Sequence, residues 1–272
     1  MAAVTMDLRI LKSASDMNLI QKLEEIIWNM APLPVHQTIT AAQNGGLLLG
    51  AFIEDELVGF SYGFPGFHQG KGYLCSHMLG IHPHHQDKGL GALLKQKQKE
   101  LAAEMGYDLI TWTFDPLESR NAYLNLNKLN AVCSTYVENC YGDMDDNLNH
   151  GLPTDRLKVE WWITSSHVKE PLVIETADAC NPYVWGISED DFPVLLNPEW
   201  EDAERTVIVP IPANFQAIKN QNFELAMDWR FKTRAIFQKL FSNGYAMADF
   251  QKGQEGLVHY YVLVQKDQLK LN

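Results

Sequence analysis

The stretch LGIHPHHQDKGLGALLKQ, Leu79–Gln96, constrains this chain more than any other. An apolar strand ends at Pro83, a turn holding Gly89 and Gly91 follows, and a helix opens at once. Those glycines let the backbone approach a ligand closely. The first amides of a helix have no internal partner and point outward beside the positive end of the helix dipole. Together they make a seat for a pyrophosphate that needs no cationic side chain. Lys88 and Lys95 add local positive charge to an acidic chain of net charge -12. A plain tight turn with a glycine start has the same sequence, so the turn alone does not decide between them.

Other glycine motifs fit worse. GxxxxGK[ST] is missing, and after Gly89 and Gly91 the third position of GxGxxG is Leu94. A dinucleotide-binding unit would place its turn after the first strand of a parallel pair. Here the turn follows three strand-like segments between Gly46 and Pro83, read as an antiparallel meander with a turn at Glu54–Glu56. His82, His84 and His85 suggest a metal at first sight. Two of them are adjacent, the third lies across Pro83, and no second His/Cys cluster has ligand spacing, so no metal is expected.

The surrounding elements follow from periodicity. Met17, Ile20, Leu23, Ile27 and Met30 mark one face of a helix that Ser13 or Ser15 caps and APLP ends. A helix from about 89 to 106 puts Leu90, Leu94, Leu101 and Met105 on one face, with Lys95, Lys97, Lys99 and Glu100 largely off it. LITWTF alternates as a strand, SRNAYLNLNKLN reads as a short helix, and AVCSTYV and RLKVEWWI as strands. Beyond a composition shift at 165–171 come a strand RTVIVPIP, a long helix over about 214–243, and a final strand pair.

At this point the residues resemble a known family. Gln86-x-x-Gly89-x-Gly91 resembles the Q/R-x-x-G-x-G/A signature of the GNAT superfamily of N-acyltransferases, and MLGIHP resembles the strand that precedes it. The element order agrees from about Met6 to Ser165. The resemblance implies an α/β (α+β) fold: a mixed, mostly antiparallel twisted sheet flanked by helices. It gives a transferase domain over 1–165 and a C-terminal α/β segment over 166–272, a larger member than usual. That segment is expected to complete the sheet, cover the acceptor cleft or form a homodimer contact.

The resemblance also implies acetyl-CoA, or another acyl-CoA, as co-substrate. The pyrophosphate would rest on the amides of Asp87, Lys88, Gly89, Leu90, Gly91 and Ala92, beside Gln86. The pantetheine arm would pair with Leu79, Gly80 and Ile81 where the fourth and fifth strands splay, Gly80 suiting a bulge or close approach. An amine would attack the thioester directly, with backbone amides polarising its carbonyl and a base removing a proton. His77 is the candidate base, sharing a face with Leu79 and Ile81 if no bulge intervenes; a sheet histidine with its own packing role is the competing reading. The family's tyrosine acid falls on Leu126 and its asparagine on Ser119, two departures from the pattern. Tyr123, one turn earlier, is the candidate acid, a packing tyrosine being the competing reading, and Asn121 and Asn125 either touch the donor or lie on a solvent face. Trp112 is assigned to the core.

The acceptor expected is a primary amine of a small molecule, with amino acids among the candidates, since a pI of about 5.1 argues against nucleic acid and anionic membranes. Succinyl-CoA is the alternative donor and would require a cation at the acyl end, for which Arg120 and Lys128 are candidates. A catalytically inactive CoA-binding or interaction module is the remaining alternative. Four widely spaced cysteines without a CxxC pair, and a start without a signal-peptide core, point to the cytoplasm.

Overall fold

The computed structural model describes residues 6–29, 31–86, 88–144, 151–176, 179–196 and 206–271. They fold into two compact units, Met1–Trp112 and Thr113–Asn272. Both are α+β, with largely antiparallel strands flanked by helices, as the signature implies.

The first unit runs β1 (Met6–Ile10), α1 (Ala14–Trp28), α2 (Val35–Gln43), β2 (Leu47–Ile53), β3 (Glu56–His68), β4 (Lys71–Ile81), α3 (Leu90–Glu104) and β5 (Leu109–Phe114), the last reaching past the unit boundary. Its strands lie in the order β1-β2-β3-β4-β5. The β2–β3–β4 meander is present, with neighbours antiparallel and a tight turn at Glu54 and Asp55, both at positive φ. Ser13, of the two candidate serines, caps α1: its hydroxyl accepts from the Asp16 amide while the Asp16 carboxylate accepts from the Ser13 amide. Met17, Ile20 and Leu23 of α1 pack on Leu48, Phe60 and Tyr62 of the sheet. Met30 lies outside the described residues.

Two features of this unit depart from the periodicity reading. The α2 helix was not expected, because VHQTITAAQ is short and rich in β-branched residues that suit a strand equally well. On α3 the buried side chains are Leu90, Leu94, Lys95, Gln98 and Ala102. Lys95 therefore lies in the interior, where the spacing placed it off the apolar face.

The second unit contains α4 (Ser119–Ala122), which continues as a π-helix over Tyr123–Lys128, then β6 (Val132–Val137), β7 (Arg156–Trp162), α5 (Ser166–Lys169), β8 (Trp185–Ile187), β9 (Pro193–Leu195), β10 (Val207–Pro212), α6 (Phe215–Gln221), α7 (Phe223–Ser242), β11 (Tyr245–Lys252) and β12 (Val258–Gln265). The order β7-β6-β11-β12-β10 joins the C-terminal strands to β6, where Met247 pairs with Cys133. The long helix expected over 214–243 is two helices. Asn222 breaks it: its side chain accepts from the Leu225 amide and starts α7. Trp161, Trp229, Phe237 and Tyr261 fill the interior of this unit. Among the described residues no helix is long and apolar enough to cross a membrane.

Candidate functional site

The site begins with a defect in β4. Pairing with β3 runs in step from Ile81 back to Met78, opposite Gly59 to Tyr62, and resumes at Ser76 opposite Gly63. His77 is the extra residue, a β-bulge. The bulge turns His77 onto the side of Tyr62 and Phe64, whose rings it meets at 6.1 and 5.7 Å between centroids. Tyr62 belongs to the cluster under α1. Leu79 and Ile81 face α3 instead: Leu79 lies against Gly91, and Ile81 meets Leu94 over Gly59. The shared face expected for His77, Leu79 and Ile81 is thus broken by the bulge.

Partial burial pushes the His77 imidazole below its ordinary pKa, although the residue is exposed overall. His77 is accordingly neutral at neutral pH and able to accept a proton. Burial drives the Tyr62 phenol the other way, upward. Near it on α1, Glu24 is 1% exposed; one carboxylate oxygen accepts from the Leu33 amide at 2.8 Å and the other has no partner among the described residues. Burial raises its pKa as well.

Of the two roles expected for Gly80, a bulge or a close approach, the bulge falls at His77 and Gly80 takes the second. A Cβ there would come within 2.6 Å of Phe60 and 2.8 Å of Ile27. The glycine admits α1 onto the sheet beside the bulge, so its role is close approach.

Beyond the bulge, one edge of β4 is open. β4 and β5 run parallel and pair at Leu74–Ile110 and Cys75–Thr111, while β4 continues to Ile81. Past Cys75 the two strands part and leave a wedge with unpaired β4 backbone along one side. Ser76 and Trp112, the next residue on each strand, both contact Lys95. Its Nζ donates to Ser76 Oγ at 2.7 Å and to Gln98 Oε1 at 3.3 Å, and lies 3.6 Å from the Trp112 ring centroid. Burial without a carboxylate partner among the described residues lowers the Lys95 pKa to about 7. The sequence placed Lys95 as a positive charge beside the turn; the structure buries it instead. The signal was its spacing, since 91, 95, 98 and 102 form a second column beside Leu94 on the same helix.

The wedge leads toward the start of α3. His82 Nδ1 accepts from the His84 amide, Pro83–His85 make one 3-10 turn, and the Gln86 side chain donates to the Ile81 carbonyl. Gln86 therefore shapes the turn itself. Asp87 lies outside the described residues. Lys88 Nζ donates to the His84 carbonyl at 3.0 Å. Gly89 stands at φ +78, a left-handed conformation that favours glycine, with open space where a Cβ would be. The first helical bond runs from the Leu93 amide to the Gly89 carbonyl, and among the described residues no side chain caps the end. The amides of Leu90, Gly91 and Ala92 are the ones a helix start leaves without partners. Among the described residues no group of three or more His, Cys, Asp and Glu could hold a metal ion.

In the second unit, the Tyr123 ring has Lys252 Nζ at 4.6 Å and Lys128 Nζ at 5.1 Å. Asn121 and Arg120 are exposed, and Asn125 is buried. Leu126, at the tyrosine position of the family pattern, is 1% exposed and packs in the core. Ser119, at the asparagine position, donates to the Ala213 carbonyl.

A meander feeding a bulged strand, an open wedge beside it and a helix start behind Gly89 are the elements on which the Gln86-x-x-Gly89-x-Gly91 signature falls. Residues 16–125 match the family model described as the Acetyltransferase (GNAT) family. The likeness to that family covers residues 16–125 of the 272. No curated protein matches the sequence. Similar solved structures include the ribosomal-protein-S18-alanine N-acetyltransferase from Escherichia coli, at TM-score 0.49 and 14% identity, covering 62% of this chain and 100% of that one. An N-acetyltransferase from Staphylococcus aureus Mu50 has TM-score 0.48 and 16% identity, covering 59% and 99%. A GNAT family acetyltransferase from Elizabethkingia anophelis with acetyl-CoA bound has TM-score 0.42 and 15% identity, covering 58% and 97%.

Proposed function

We propose that the enzyme moves an acetyl group from acetyl-CoA to a primary amine of a small molecule by direct attack on the thioester. The observation that carries this reading is the open edge of β4 leading to a helix start that no side chain caps among the described residues. A strand edge offers a row of amides and carbonyls to an extended partner, and a helix start offers amides to a phosphate. Residues 1–165 then form the transferase domain and 166–272 a segment that extends it.

The amides of Leu90, Gly91 and Ala92, with Lys88 and Gly89 alongside, hold the pyrophosphate. The β4 backbone at Leu79, Gly80 and Ile81, on the edge away from β3, receives the pantetheine arm and donates to the carbonyl oxygen as charge gathers there. The thioester supplies an activated acyl carbon and a thiolate leaving group. His77, whose pKa partial burial lowers, takes the proton that the attacking ammonium must lose. For the proton on the departing sulfur we propose Tyr123, which stands three residues before Leu126, the family's tyrosine position.

The experiment is release of free CoA thiol from acetyl-CoA against a panel of amino acids and small amines. Turnover with at least one amine, confirmed as an N-acetyl product by mass, is expected. Tight acetyl-CoA binding without turnover on any amine would favour an inactive CoA-binding module, the reading that buried Leu126 in place of the family tyrosine supports.

A further inference from the structure

Lys95 occupies an unusual place for an amine. β4 and β5 separate after Cys75 and Thr111, and the first residue beyond on each strand touches Lys95 Nζ: Ser76 Oγ at 2.7 Å and the Trp112 ring at 3.6 Å. The α3 helix thus lays a primary amine across the closed end of the wedge. Ser76 Oγ also donates to Gln98 Oε1 at 2.9 Å, so the three side chains hold one another and fix the position of Nζ. The residue is 3% exposed.

A buried ammonium without an anion is expensive, and a lysine so placed sheds its proton. The groups that face Lys95 are Gln98 on its own helix, Ser76 and the Cys75 thiol on β4, and Trp112 on β5. Of these, Cys75 titrates, and its ionised form would pull the amine back up. The net effect is a pKa of about 7. At pH 7.5 an ordinary lysine is neutral in only about one molecule in a thousand, whereas Lys95 is neutral in the majority. Its supply of attacking amine is thus about 10³-fold larger.

In the proposed function, the donor enters from the Gly89 end of the wedge, so its acyl end points toward the closed end. We propose that Lys95 is an internal acyl acceptor: in the absence of substrate amine, the bound donor acylates Nζ at the floor of its own wedge. This rests on the donor placement proposed above. The Nζ lone pair forms the C–N bond, the C–S bond breaks, and sulfur leaves with its electron pair. The proton released by nitrogen goes to that sulfur, giving an amide and free CoA thiol with no other reactant. The acyl-lysine has lost its titratable amine and fills the apex, so the modification limits its own enzyme.

The test incubates the wild-type chain with isotope-labelled acetyl-CoA and no amine, followed by peptide mass mapping at several pH values. One label per chain on Lys95 is expected. Its rate should rise about tenfold from pH 6 to pH 8 and level off above, and should fall when an accepted amine is added. Label spread over exposed lysines such as Lys97 and Lys88, at the rate of the heat-unfolded chain, overturns the proposal. So does an unlabelled Lys95 when acetyl-CoA raises the Tm, which leaves the donor reading intact. If acetyl-CoA neither binds nor labels, both fall together. Lys95→Arg, which keeps a cation but no free amine, should abolish the label.

Discussion

Replacing Lys95 by Met isolates the price of burying an amine. The Lys95 pKa drops from 10.5 in the unfolded chain to about 7 in the fold. Between those values the unfolded state binds a proton that the folded state does not, so stability rises with pH across that window. The full shift corresponds to about 5 kcal/mol against the wild type at pH 7 and below, and nothing above pH 10.5. Methionine fills the same volume without a titratable group. It forfeits the bonds to Ser76 and Gln98, about 1 kcal/mol each and independent of pH in this range. Lys95→Met should therefore be more stable than wild type at pH 7 by about 2–3 kcal/mol. Of that advantage, about 3 kcal/mol should vanish by pH 9.5. Urea midpoints of the two proteins at pH 7, 8, 9 and 9.5 read this directly, because every other titrating group is common to both. A difference that stays constant over this range would show that Lys95 keeps its proton in the fold, and the argument from its burial would be wrong.

Gly89→Ala adds a side chain at φ +78 with no clash, so it should cost about 1–2 kcal/mol of stability while leaving CoA affinity within a few fold. Gly89→Glu adds a negative charge at the proposed phosphate seat, and at roughly 5 Å this should weaken CoA by about 10–100-fold in calorimetry; equal affinities of the two variants would refute the seat. Gly80→Val would drive carbon into Phe60 and Ile27, for a loss of about 1–3 kcal/mol in chemical unfolding. His77 is lowered below the ordinary histidine range, so kcat/KM should fall only as pH drops through a value below 6.5, and His77→Gln should remove that limb.

The start of α3 was legible because its determinants are local: a proline, a glycine that takes a positive φ, and a helical period. The bulge at His77 was not, because it exists only in the register of β4 against β3, and one inserted residue moves His77 to the other face. The same non-locality hid Lys95. A lysine reads as solvated until two strands diverge around it. α2 was masked by β-branched residues, and the break at Asn222 by an apolar period that continues on both sides. Where the sequence showed departure from the family, at Leu126 and Ser119, the structure assigns core packing and a bond to the Ala213 carbonyl.

Backbone amide hydrogen exchange with and without acetyl-CoA tests the central claim most directly, since the proposed site is made largely of amides. Saturating donor should slow exchange in two separate peptides, one covering Leu79–Ile81 and one covering Leu90–Ala92, with His84 and His85 little changed. Protection confined to other parts of the chain, with both of these peptides unaltered, would contradict the placement of the donor along β4 and at the start of α3.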